Sequence, residues 1–407
     1  MQTSAAPRRL IHHSGDTGRS ATRLDALTSL RFFAAFAVFV HHFNGFAKNG
    51  GVARVPLLYP WSTIGAHGVT FFFVLSGFLL TWSWRPGRQS LGGYYWRRFG
   101  RIWPAHLVAT IPAMLLFYDI GWGSDHTNLL STVSSLFLLQ TWFPGVQPTL
   151  PGNPVTWTLS VELLFYALFP FFVRWFGRLR TRTLMLVSGA GLTAMWAVDV
   201  WAYYQAPTME SWILRTPVVY LPEFALGMAF AFAIRRGWRM RLRPWVVLVA
   251  LAAYVPVYAL HAVGPYGFYG IQIEASVRPT VAVLSVLLIA AFVQRELEGR
   301  RGLLHWRPLV LLGAWSYCFY LVHQLVIQAM YDMGLWQPAG NRNIWILLVT
   351  SAIGTFFAWA LYTFVEEPAR KWWSARVPRA VENWRRPEPS GPAVAVERPY
   401  TRDRVSS

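Results

Sequence analysis

The sequence predicts an all-α fold, a polytopic membrane helix bundle of about ten transmembrane helices plus one short re-entrant or interfacial segment. Three observations predict it. The 407 residues are 54% hydrophobic with a mean hydropathy of +0.33, too apolar for a soluble domain of this size. Apolar stretches about as long as a 30 Å hydrocarbon core requires recur from one end of the chain to the other. Arginines fall in short clusters between those stretches, as cytoplasmic loops of an inserted protein do. The net charge of +19 therefore points to lipid headgroups or a phosphorylated co-substrate, and not to nucleic acid.

The expected spans are 27–46, 64–84, 102–119, 158–176, 183–204, 213–234, 244–263, 279–294, 308–330 and 343–365. The segment 128–143 is shorter and carries Ser, Thr and Gln. If it crossed fully, every later Arg-rich loop would face outward, so it is read as an outer re-entrant or interfacial piece. With ten spans and a cytoplasmic N-terminus, the segments Arg85 to Arg101, Arg174 to Arg182, Arg235 to Arg243 and Arg295 to Arg307 all lie inside. The outer loops then keep only Lys48, Arg54, Arg278 and Arg342. Both termini are expected in the cytoplasm and the chain in the plasma membrane. Residues 1–24 are expected to form a cytoplasmic basic N-terminal segment, 25–372 the membrane domain, and 373–407 a cytoplasmic tail rich in Pro, Arg and Glu that is expected to be disordered. A single cysteine, Cys318, excludes an internal disulfide, and no metal-binding, Walker or nucleophile-elbow motif occurs.

Polar residues inside apolar spans carry the functional signal, because each costs a few kcal/mol unless it faces a partner or a cavity. In the first span, Arg31 and His42 are eleven residues apart. At 100° per residue they share a face, with an axial offset of roughly 16 Å. They are either a snorkelling Arg and an interfacial His, or a cation near one surface and a proton acceptor deep in the membrane. Arg98 and Arg101, three apart, would lie side by side on a helix, with Pro104 in the first turn of the third span. They fit a topogenic cluster or a phosphate clamp. Glu162, with Tyr166 one turn on, lies in the fourth span and is either a structural partner of an Arg or His or a working carboxylate. Glu223, beside Pro222, and His323 divide between structural pairing and a substrate cavity, where His41 and Tyr166 are further candidates. Ser76 and Gly77 read as close helix packing, Glu366 and Glu367 as inner-surface ion pairs, and Cys318 as a packed small residue.

Six pieces occur in a fixed order from about residue 24 to 370: Arg31-x10-His42, Arg98-x-x-Arg101-Ile-x-Pro104, Trp157-Thr-Leu-Ser-Val-Glu162 with Tyr166 and Pro170, Leu221-Pro-Glu-Phe, Trp315-Ser-Tyr with His323, and Glu366-Glu-Pro368. Together they resemble the acyltransferase 3 family of integral-membrane O-acyltransferases. The resemblance implies transfer of an acyl group, acetyl above all, from cytoplasmic acyl-CoA to a hydroxyl of a carbohydrate or a macrolide-like acceptor. Acyl-CoA would be a co-substrate, with no permanently bound cofactor. By the resemblance, Arg31 and His42 match the family's Arg-x10-His pair, and Arg98 and Arg101 its donor-side Arg-x-x-Arg. His106 stands where Tyr is common in the family and receives no role. Some relatives carry an added extracytoplasmic esterase-like domain. The reading expects the membrane domain here to finish the transfer alone or to pass the acyl group to another protein. On this reading His42 is the general base, Glu162 orients it or stabilises its imidazolium form, and Arg31, Arg98 and Arg101 hold the donor's phosphates. An acyl-His intermediate is the variant of that chemistry. The rivals are a transporter or flippase of an amphiphile using the same buried charges, and an assembly protein whose polar residues only join helices.

Overall fold

The computed structural model describes residues 24–45, 55–58, 61–85, 90–117, 129–143, 152–263, 268–335, 340–378 and 381. The N-terminal segment before residue 24 and the tail beyond 381 lie outside the described residues. The helices are α1 (Asp25–Gly45), α2 (Gly68–Ser83), α3 (Leu91–Phe117), α4 (Leu129–Leu136), α5 (Trp157–Arg178), α6 (Thr181–Gln205), α7 (Glu210–Ile213), α8 (Leu221–Arg235), α9 (Pro244–Val263), α10 (Phe268–Leu297), α11 (Arg307–Asp332), α12 (Asn343–Leu361) and α13 (Glu367–Ala375). Among the described residues nine helical segments are long and apolar enough to cross a membrane, and α9, on the expected span 244–263, is a shorter apolar helix. α4 has eight residues and reaches only about 12 Å, too short to cross.

Close helix crossings are set by glycine. A Cβ on Gly77 of α2 would run into the Phe224 carbonyl of α8, and one on Gly227 of α8 into the Val74 carbonyl of α2. The two backbones therefore touch directly, the packing mode membrane helices use where hydrophobic burial drives little association. Gly313 brings α11 equally close to the Thr28 carbonyl of α1. One apolar core joins α1, α2, α3, α5, α8 and α11 around Phe39, Phe73, Phe165, Phe169 and Phe224. A second, around Leu27, Phe78, Met195 and Ile289, joins α1, α2, α6, α8 and α10.

Three expectations are corrected. α3 starts at Leu91, so Pro104 lies well inside it, and Arg98 and Arg101 belong to the same continuous helix. The neighbouring surface of α3 is covered by α13, through a Trp96–Trp373 ring contact at 4.3 Å and a bond from Trp96 Nε1 to the Trp373 carbonyl at 3.0 Å. Arg278 is not in a loop. It is a buried residue of α10, tolerated because Asp199 of α6 (3.2 Å) and Glu223 of α8 (3.3 Å) flank it, with the Tyr220 ring 4.1 Å below its guanidinium. Helix α13 runs on to Ala375. Finally, Tyr362–Glu366 forms a π-helical turn between α12 and α13. It turns Glu366 into the bundle, where Cys318 donates to it at 3.1 Å, while Glu367 faces out and pairs with Arg370 and Lys371. The surface-pair expectation therefore fits Glu367 and fails for Glu366.

Candidate active site

α1, α2, α3, α5 and α11 converge on a cavity of about 60 Å³ lined by Arg31, Arg101, Thr158, Glu162, Tyr317 and Tyr320, among others. The Arg-x10-His helix supplies Arg31, and the Arg-x-x-Arg helix supplies Arg101. Glu162 accepts from the Tyr166 hydroxyl at 3.0 Å, one turn along α5, and from Ser76 of α2 at 3.5 Å. Arg98 does not line this cavity. Its guanidinium lies over the rings of Tyr166 (5.3 Å) and Tyr94 (5.6 Å), which places it directly behind the Tyr166–Glu162 pair. Glu366 completes the cluster. Arg31 and Arg101 both lie within electrostatic range of Glu162 and Glu366. Two cations thus face two carboxylates, and that balance is what lets so many charges share an apolar bundle. The cavity has room for a few waters and no more.

About 16 Å along the same helix from Arg31 lies His42. Its Nδ1 is 2.8 Å from Nε2 of His323 on α11, and the two rings stack at 5.1 Å with 19° between planes. His323 is fully buried, and its Nδ1 is 2.7 Å from the Tyr320 carbonyl oxygen. These contacts fix the tautomers. A carbonyl only accepts, so Nδ1 of His323 carries the proton and, in the neutral ring, Nε2 offers a lone pair. Nδ1 of His42 must then be the donor, which leaves Nε2 of His42 as a bare base. Among the described residues that nitrogen has no protein partner. Tyr320 connects the two halves of the site: its carbonyl holds His323, its side chain lines the Arg31–Arg101 cavity, and its hydroxyl bonds Thr158 and the Val155 carbonyl at 3.1 Å each.

The expected site residues therefore divide. Arg31, Arg101, Glu162 and Tyr166 come together, with Arg98 behind them. His42 and His323 form a separate pair on the same side of α1. Glu162 bonds Tyr166 and Ser76 and not His42, whose Nδ1 meets His323 instead. His41 donates from Nδ1 to the Ser62 carbonyl at 3.1 Å and anchors the 3-10 turn Trp61–His67. Glu223 is committed to Arg278 and reaches neither cluster. His106 is buried between Thr110 and the Ser135 carbonyl, joining α3 to α4. The sequence reading missed Tyr320 and the inward position of Glu366. For Glu366 no local signal existed, since the π-helical turn that points it inward and the arginines it meets are both set by the fold.

A family model described as an acyltransferase domain matches residues 24–363. The chain belongs to the acyltransferase 3 family. It is 32% identical over 391 residues to the acyltransferase MdmB of Streptomyces mycarofaciens, covering 88% of this chain and 94% of that protein. It is 25% identical over 392 residues to the peptidoglycan O-acetyltransferase OatA of Listeria monocytogenes, covering 87% of this chain and 57% of that protein. It is 28% identical over 321 residues to the exopolysaccharide production protein ExoZ of Rhizobium meliloti, covering 75% of this chain and 90% of that protein. No solved structure matches it. The protein is thus a membrane-embedded O-acyltransferase, and the transporter and assembly readings give way. The match takes in every helix from α1 to α12.

Proposed function

We propose that this acyltransferase moves an acetyl group from acetyl-CoA, bound at the arginine-rich face, to a hydroxyl of a carbohydrate or macrolide-like acceptor that reaches His42. The reading places the arginine-rich face and both termini in the cytoplasm, with the chain in the plasma membrane. The observation that carries it is the bond chain from the Tyr320 carbonyl through His323 to His42, which leaves one unpaired basic nitrogen inside a membrane bundle.

In the reaction, Nε2 of His42 takes the proton of the acceptor hydroxyl as its oxygen attacks the thioester carbonyl. The carbon–sulfur bond breaks, and the proton passes from His42 to the departing thiolate, giving ester and free CoA. General-base assistance of this kind is worth about 10²- to 10⁴-fold in rate. His323 accepts from Nδ1 of His42 throughout and shares the positive charge while the proton is on the ring. Arg31, Arg98 and Arg101 attract the donor's phosphates, and Glu162 with Glu366 holds the guanidiniums in place until the donor displaces part of that pairing. The two charge centres on α1 are far enough apart for a long, thin donor: phosphates at Arg31, reacting carbon near His42. Two relatives, a peptidoglycan O-acetyltransferase and an exopolysaccharide production protein, support a carbohydrate acceptor and an acetyl donor.

The test is incubation of the purified protein in vesicles with labelled acetyl-CoA and a panel of hydroxyl acceptors. Thioester consumption matched by ester formation is the expected result. Acceptor movement across the bilayer with no loss of thioester would remove this reading. Mass spectrometry of the host's glycans, lipids and secreted metabolites, with and without the protein, then identifies the acceptor by its one acetyl increment.

A further inference from the structure

Another cavity lies away from the charged cluster. It is a groove of about 710 Å³ walled by α1 and α9 and floored by α10. Its shaft is apolar, lined by Leu30, Phe33, Ala34, Leu248, Leu284 and Leu288. Along α10 it runs from Val281 to Arg295, fourteen residues, or about 21 Å. At the far end it is closed by the 3-10 turn, where His67 meets Tyr258 of α9 at 3.4 Å. At the near end it opens onto a second cavity of about 390 Å³ that shares Pro244, Arg295 and Arg300 with it and adds Arg239, Arg241 and Arg243. Glu298 is the one carboxylate among the lining residues of that mouth, and it already pairs with Arg300 at 3.2 Å. Phe33, Trp245, Leu248 and Leu303 are exposed along the rims.

The geometry points to a bound anionic phospholipid, with its phosphate over the arginine mouth and one acyl chain in the groove. Each part of the shape argues for that occupant. The shaft is at least as long as one leaflet's hydrocarbon, about half of a 30 Å core. The basic residues sit only at the end that faces a headgroup region. The mouth carries five arginines against one carboxylate, so a zwitterionic headgroup would leave most of that charge unmatched, whereas an anionic one is attracted by roughly 1 kcal/mol per nearby arginine, about fivefold in affinity. A soluble phosphate ester would use the mouth and leave the shaft empty. The site lies on a different face of α1 from Arg31 and His42, and none of its residues belongs to the proposed transfer machinery. A lipid there would brace α1 against α9 from outside the active site.

The experiment uses the full chain in detergent micelles, titrated with phosphatidylglycerol, phosphatidylcholine or glycerol phosphate, with native mass spectrometry to count bound molecules. One phosphatidylglycerol is expected to bind tightly, with phosphatidylcholine and glycerol phosphate weaker by more than tenfold. Arg241→Gln and Arg295→Gln are expected to weaken it about fivefold each, and Ala34→Phe, which fills the shaft, to abolish it. The arginine variants lie at the protein's edge and keep the test valid if Ala34→Phe misfolds. Equal binding of the two lipids, wild-type binding by both arginine variants, or full competition by glycerol phosphate would each overturn the proposal. So would displacement of the lipid by a long-chain acyl-CoA that is then consumed, since the groove would then be a donor site.

Discussion

His323→Phe is the substitution that isolates the tautomer argument. The phenyl ring keeps the apolar packing against Phe39 and Phe319, which flank the imidazole at centroid distances of 6.4 and 6.2 Å. It removes the acceptor of the 2.8 Å bond from Nδ1 of His42. A buried donor left unpaired costs about 1–3 kcal/mol. His42 can escape that cost by moving its proton to Nε2, which ends its service as a base, or by rotating away. If the penalty appears in the transition state, it corresponds to about a 5- to 150-fold loss in turnover. The assay is transfer of labelled acetyl in vesicles at matched expression, with the KM for donor and acceptor measured separately. The expected result is a fall in kcat with the donor KM within about threefold of wild type, because His323 does not line the arginine cavity. His323→Gln is the paired control. Its amide oxygen can accept from His42 while its NH₂ donates to the Tyr320 carbonyl, so it should recover much of the loss. Full activity in the Phe variant would refute the reasoning, and so would a Gln variant as poor as Phe with unchanged thermal stability.

Charge reversal at Arg98 and Arg101 together should raise the KM for acyl-CoA at least tenfold, with the acceptor's KM nearly unchanged; steady-state kinetics in both substrates checks this, and movement of the acceptor term alone would reassign the cluster. Arg278→Leu strands Asp199 and Glu223 as buried carboxylates without a cation, so thermal unfolding in micelles should report a loss of about 3–5 kcal/mol, while kinetics of the protein that remains folded should stay near wild type. Gly77→Leu forces a side chain into the Phe224 carbonyl and should lower the unfolding midpoint sharply or prevent accumulation, in contrast to Gly189→Leu on α6, where a Cβ meets nothing within 4 Å.

The spans were legible in the sequence because a membrane helix must be apolar over a fixed length, and that requirement is local. The shared face of Arg31 and His42 was legible for the same reason: it depends only on helix period. What could not be read is what meets those side chains. His323 lies 281 positions from His42, and nothing local to either residue encodes their bond. Glu162 looked like a partner for His42 because a carboxylate behind an imidazole is a common arrangement. Its actual partner, Tyr166, was already marked as sharing its face. Arg278 falls one residue outside the expected span 279–294, because the apolar run starts after it, whereas α10 begins ten residues earlier at Phe268. Asp199, in the fifth span, was the clue that a buried cation had to exist somewhere. The inward turn of Glu366 depends on a π-helical step, which no residue pattern announces.

The most direct test of the central claim is acetyl transfer by His42→Ala, with insertion and fold confirmed by protease protection and an unchanged unfolding midpoint. If Nε2 of His42 is the base, transfer falls by about 10²- to 10⁴-fold while acyl-CoA still binds with near wild-type affinity. Turnover close to wild type in that correctly inserted variant would contradict the account.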